Sequence, residues 1–124
     1  MRNVILVLGW LLALWAANAT AENTKPNVGS ARYALDAYDK MLPEDRRIVE
    51  NFISGIEEGL SWANVAVKNQ RQPPLYCQPD HLTLTVPQII DVMRRGINND
   101  PALGDYPLGM VALIALQRTF PCRR

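Results

Sequence analysis

Cys77 and Cys122 are the only cysteines in the chain, and with the single histidine, His81, they bound the chemistry available to it. Thiolate metal sites draw on several cysteines and histidines at short spacing. One histidine and no C-x-x-C pair make a metal centre an unfavourable reading. A serine or cysteine nucleophile needs a base within hydrogen-bond reach, and only one imidazole exists to supply it. Asp80 beside His81 offers a formal dyad, yet two adjacent polar residues in a proline-rich loop read more simply as solvated. Glu57 and Glu58 are a carboxylate pair in sequence only, because consecutive residues on a helix do not face each other. No glycine-rich phosphate loop is present. The sequence therefore predicts a protein that is not an enzyme, with no catalytic residues, no cofactor and no metal.

What remains is oxidation of the two thiols to one another. A Cys77–Cys122 bridge would close a loop around two predicted helices and contribute roughly 4 kcal/mol on the chain-entropy model. Two unrelated buried thiols, or half of an intermolecular bridge, are the alternatives. The compartment bears on the choice. Met1-Arg2-Asn3 is a short basic start, Val4 to Ala17 is almost wholly apolar, and Ala17-Asn-Ala19 and Ala19-Thr-Ala21 fit a small-x-small cleavage pattern. This is the form of a secretory signal peptide over residues 1–21, cut after Ala21 or Ala19. The apolar core is short of the roughly 20 residues a retained span needs. An exported chain meets an oxidising space, which favours the disulfide.

Removing Arg2 from the 13 basic residues leaves 12, balanced by 12 acidic ones. A mature chain of zero formal charge gives no reason to expect nucleic acid or an anionic membrane surface as partner. Residues 22–29 read as a loose leader and 30–124 as one helical domain.

The elements follow from periodicity. Ser30 caps a first helix with Ala34, Leu35, Tyr38, Met41 and Leu42 at helical spacing, and Pro43 stops it. The same proline opens a long second helix to about Gln70, with Glu44 and Asp45 in its first turn, where the helix dipole favours acids. Two apolar lanes run along it. Val49, Phe52, Ile53, Ile56, Leu60, Ala63 and Val67 form one, and Ile48, Gly55, Gly59, Trp62 and Ala66 form the other, with Asn64 assigned to the polar side. This predicts a long central helix with neighbours on two sides. Pro73, Pro74 and Pro79 then impose a loop from Gln70 to Leu84. Thr85-x-x-Gln88 reads as a capping box opening a third helix that carries Val86, Ile89, Ile90, Met93 and Ile97. A second loop, Asn99 to Tyr106, holds one short turn. Pro107 begins a last helix that is apolar nearly all round through Leu116. No β-type alternation occurs. The expected fold is all-α: a small single-domain bundle of about four helices around the long one, with one disulfide.

Each glycine inside a helix costs on the order of 1 kcal/mol relative to alanine. Gly55 and Gly59 stand one turn apart and, with Trp62 and Ala66, form a lane where another backbone can approach closely. Packing within the chain, against the first or last helix, is the leading expectation. A homodimer surface is the alternative.

Taken together, Phe52-Ile-Ser-Gly55-Ile-Glu-Glu-Gly59, Cys77-x-Pro79 with Leu82-Thr83, Gln88, Asp100-Pro101 and the closing Ala115-Leu116 and Phe120-Pro-Cys122 resemble the Rap/Tai family of type VI secretion immunity proteins. The resemblance covers about residues 48 to 122. It implies a small helical periplasmic protein, often dimeric, that binds a peptidoglycan amidase delivered by neighbouring cells and obstructs its cleft. The chain departs from that pattern at Glu58, at Asp80-His81 and in the spacing from Cys77 to Gln88. Two other classes compete: an HdeA-like periplasmic chaperone, and an exported structural or adaptor domain without inhibitory role.

A cleft-blocking protein needs a stiff protruding segment. The first loop fits, and its candidate contacts are Arg71, Leu75 and Tyr76. Leu103 and Tyr106 of the second loop compete for the role. The plainer reading of Leu75 and Tyr76 is that they cover the core beneath the disulfide. Material recovered from the exported fraction should begin near Glu22 and hold no free thiol. Non-reducing mass spectrometry decides this, and two alkylatable cysteines in native protein would exclude the bridge.

Overall fold

Prolines and capping residues set the boundaries of the helices seen in the computed structural model, which describes residues 27–123. The expected signal peptide and most of the leader lie outside the described residues. Among the described residues the order is α1 (Ala31–Lys40), α2 (Pro43–Asn69), α3 (Val86–Asn99), a 3-10 turn (Pro101–Asp105) and α4 (Leu108–Thr119). The domain is an all-helical bundle of four helices, with Cys77 and Cys122 joined in a disulfide.

Ser30 caps α1 as its residue type requires, its hydroxyl oxygen accepting from the Tyr33 amide at 3.2 Å. Met41 is the C-cap, so α1 ends two residues earlier than its apolar spacing suggests. Pro43 opens α2 with Glu44 and Asp45 in the first turn. Thr85 and Gln88 form the capping box of α3, the Thr85 amide donating to Gln88 Oε1 at 2.8 Å. In α4, Pro107 is the N-cap, and the helix runs on past Leu116 to Thr119.

The core centres on the contact between α3 and α4. Ile89, Ile90, Val92, Met93 and Ile97 from α3 are buried with Leu108, Val111, Ala112, Ala115 and Leu116 from α4. Gly96 allows the close approach: a β-carbon there would lie 3.3 Å from both the Ala115 β-carbon and a Leu103 methyl. α1 adds Ala31 and Leu35. It is tied down at its start by the Ala31 amide on the Tyr106 carbonyl (2.8 Å). At its end, Tyr38 Oη donates to Glu50 Oε1 at 2.7 Å, a bond that raises the phenol's pKa. The Arg46 guanidinium lies over the same ring at 5.3 Å from its centre.

α2 departs from expectation. Only Ile53 and Asn64 are buried along its 27 residues, with Val49, Ile56 and Leu60 packed partly against the core. Phe52, which its spacing places on the core stripe, is 61% exposed. The glycine lane is not packed within the chain either. Among the described residues, nothing lies within 4 Å of a β-carbon built at Gly55 or Gly59. The long helix thus has neighbours on one side, and its second apolar lane faces outward.

The disulfide binds the C-terminal end of α4 to the loop after α2, with the two α-carbons 4.9 Å apart. Cys122→Ser should lower stability by about 2–5 kcal/mol in urea unfolding. An unchanged unfolding midpoint would show that the helices hold this connection without it.

Candidate functional site

Residues 70–85 connect α2 to α3 without regular structure, and the local sequence explains why. Pro73, Pro74 and Pro79 remove backbone donors and forbid helix. The stretch is nonetheless held at successive points. α2 closes in a Schellman arrangement, the Arg71 amide donating to the Lys68 carbonyl and the Gln72 amide to the Val67 carbonyl, both at 2.9 Å. This places Arg71 at φ 58°, a left-handed conformation that glycine adopts far more readily than a residue with a β-carbon.

The next anchor is Asn64. Its side chain projects from α2 into the interior and clamps the passing chain. Its Nδ2 donates to the Tyr76 carbonyl at 2.8 Å, and its Oδ1 accepts from the Leu75 amide at 2.6 Å. One carboxamide therefore satisfies one donor and one acceptor of a segment that has no ladder or helix to do so. Asn64, expected on the polar face of α2, is only 9% exposed. Its spacing with Leu60 and Val67, at i, i+4 and i+7 on the apolar stripe, is the signal that could have placed it inside.

One residue further on, Cys77 bonds to Cys122 through sulfur, and its amide donates to the Phe120 carbonyl at 2.8 Å. The loop then turns. The Leu82 amide donates to the Pro79 carbonyl at 2.9 Å, and the Gln78 side chain donates to the Leu82 carbonyl. Asp80 and His81 stand exposed at this tip.

The candidate contacts separate under this geometry. Arg71 is exposed and Leu75 half-buried. Tyr76 is 3% exposed, so its ring covers the core beneath the disulfide and is not free for contact. Burial, and then the nearby Glu57 carboxylate, raise the pKa of its phenol. In the second loop Leu103 is also buried, packed against Gly96, while Tyr106 is 47% exposed. Of the five residues, Arg71 and Tyr106 are presented to solvent, and they lie on different loops. Trp62 and Ala66 of the helix lane are exposed as well.

Between α2 and the loop lies an open cleft of about 330 Å³, whose lining includes Glu57, Ser61, Lys68, Gln78, Asp80 and Thr83. Its character is polar and charged of both signs. Glu58 is exposed and not part of it, so the two glutamates do not act as a pair. What this arrangement can do is present a shaped, mixed-charge surface whose backbone is already ordered.

Set against known proteins, the chain matches no family model, no curated protein and no solved structure.

Asn64→Ala would leave the Leu75 amide and the Tyr76 carbonyl without their partner. An unsatisfied buried backbone group costs about 1–3 kcal/mol, so the variant should be about 2–4 kcal/mol less stable. Its Leu75 amide should also lose protection in hydrogen exchange. Retained protection at that amide would mean that the disulfide alone orders the loop.

Proposed function

We propose that this protein is an exported immunity protein, which binds a peptidoglycan-degrading amidase of type VI secretion in the periplasm and blocks it by presenting the 70–85 loop to the enzyme's cleft. The observation that carries this reading is the ordering of that loop by the Schellman turn, the Asn64 clamp and the disulfide. A segment fixed before binding loses little conformational entropy on contact, which is what an inhibitor needs. The left-handed backbone at Arg71 points the same way. Such strain costs of order 1–3 kcal/mol and concentrates at functional positions. Arg71, Asp80 and His81 are the exposed contacts on this reading, with Tyr76 and Leu75 as internal support.

Further support comes from the export signal in the sequence and from the resemblance carried by Phe52–Gly59 and Phe120-Pro-Cys122. The disulfide suits an oxidising compartment. No helix among the described residues is long and apolar enough to cross a membrane.

The chaperone reading is less favoured. Acid-triggered opening needs carboxylates whose ionisation holds the fold together. The ion pairs Arg32–Asp105, Arg94–Asp39 and Arg118–Asp100 all have substantially exposed side chains, where such pairs contribute little.

The test is the double substitution Arg71→Ala with His81→Ala, checked first for an unchanged thermal transition. Against a type VI peptidoglycan amidase that binds the wild-type protein, the variant should inhibit at least tenfold more weakly than wild type. Arg71→Gly should separate the two roles of that residue, raising stability by about 1 kcal/mol through relief of the left-handed strain while weakening inhibition. A folded double variant that inhibits at wild-type concentrations would exclude this loop as the contact. Failure of wild-type protein to bind or inhibit any type VI peptidoglycan amidase would exclude the immunity role.

A further inference from the structure

The cleft between α2 and the 70–85 loop holds a polar group that its own chain leaves without a partner. Tyr76 is 3% exposed, its ring in the core. Among the described residues its hydroxyl makes no hydrogen bond, and yet, unlike Arg46 Nε, it is not sealed from solvent. Because Tyr76 lines the cleft, the hydroxyl opens there. A phenol buried to this degree ordinarily finds a partner, as Tyr38 does in Glu50. The Glu57 carboxylate beside Tyr76 acts on it through charge and not through a hydrogen bond.

Opposite charges stand at the two ends of this cleft. Glu57, Ser61 and Lys68 follow one another along the face of α2 that lines it. At a rise of about 1.5 Å per residue, the α-carbons of Glu57 and Lys68 lie about 16 Å apart. Neither side chain belongs to an ion pair among the described residues, where the pairs are Arg32–Asp105, Arg94–Asp39 and Arg118–Asp100. Asp80 lines the cleft from the loop side, so carboxylates outnumber the lysine. That balance disfavours a phosphate or other simple anion and favours a ligand anchored by a cation.

We infer that the cleft binds a short peptide with free ends, its terminal ammonium held by Glu57, the Tyr76 hydroxyl and Ser61, and its terminal carboxylate held by Lys68. The inference is independent of the amidase reading. An ammonium carries three donors and no acceptor, and the three oxygens offered by those side chains can accept from it. Ser61 stands one turn after Glu57, which puts both on the same side of the helix. An extended peptide of about three residues spans about 10 Å. The side chains of Glu57 and Lys68 take up the rest of the distance. A single amino acid bears both charges on one α-carbon and cannot reach both ends.

The middle of the cleft suits a peptide as well. The Thr83 hydroxyl donates and accepts, as an amide requires, while Val65 and Leu82 give apolar surface for side chains. Burial and the Glu57 charge raise the Tyr76 pKa, so the phenol stays protonated and neutral. An ammonium between the two oxygens offsets the repulsion that causes the shift. The loop wall needs no rearrangement, because the Asn64 bonds to Leu75 and Tyr76 already fix it, which lowers the ordering cost of binding. A volume of about 330 Å³ lies at the small end of ligand sites and admits a few residues.

NMR titration of the mature chain with trialanine, followed at the backbone amides, tests the proposal. Binding should saturate at one site with a Kd on the order of 1 mM or tighter. N-acetyl-trialanine, trialanine amide and free alanine should each bind at least tenfold more weakly. Glu57→Gln and Lys68→Gln should each weaken trialanine at least tenfold with an unchanged thermal transition. Tyr76→Phe, which keeps the ring in the core and removes only the hydroxyl, should weaken it severalfold. Glu58→Gln removes the same charge one position along, outside the cleft, and should bind as wild type does. No saturable binding of trialanine at tens of millimolar would overturn the proposal. Undiminished binding of the acetylated peptide, or by Glu57→Gln, would overturn the ammonium site. Free alanine binding as tightly as trialanine would overturn the two-ended peptide as the ligand.

Discussion

A buried carboxamide has to find both a donor and an acceptor, and Asn64 finds them in the consecutive residues Leu75 and Tyr76 of a loop that has no ladder or helix of its own. The consequences spread in both directions along the chain. Holding Leu75 and Tyr76 against α2 turns the Tyr76 ring into the core and brings Cys77 to the end of α4. There the disulfide and the Cys77 amide complete the attachment. The order of these contacts matters physically. The hydrogen bonds set where the loop runs, and the covalent bond then removes the alternatives from the unfolded ensemble.

The four helices contribute unequally to the core. α3 and α4 are buried on most of the surface they present to each other, with Gly96 letting their backbones come close. α1 and α2 lie over that pair and each use one stripe. This helix of 27 residues buries only two of them, Ile53 and Asn64. Its remaining apolar residues are not scattered; they form a lane. Singly exposed apolar residues need no explanation, but a contiguous patch of them marks a surface made for contact.

The 70–85 loop and the outer lane of α2 are surfaces of different character. The loop offers a polar, ordered, mixed-charge surface next to a cleft, suited to a specific and reversible protein contact. The outer lane of α2 offers an apolar one, with Ile48, Phe52 and Trp62 exposed. Arg71 stands where they meet, at the end of the lane and the start of the loop.

Much of this was legible in the sequence. Ser30, Pro43, the Thr85–Gln88 box and Pro107 mark helix starts through local chemistry: a side chain that bonds a free amide, or a ring that lacks one. Such effects act over three or four residues, so the boundaries, the all-helical class and the prolines' loop could all be read in order. The disulfide could be expected because the chain has two cysteines and an N-terminal stretch patterned like a secretory signal. What no local rule decides is which face of a two-faced helix turns inward. Phe52 and Ile53 are adjacent and both apolar, yet one is solvent-exposed and the other buried. Asn64 is polar and interior. Tyr76 has the composition of a contact residue and serves as core. Gly55 and Gly59 look like packing glycines and meet nothing among the described residues. In each case the outcome depends on where α4 and the 70–85 loop come to lie against α2. That placement is set by the sum of many contacts between residues distant in the chain, so only the tertiary structure could decide it.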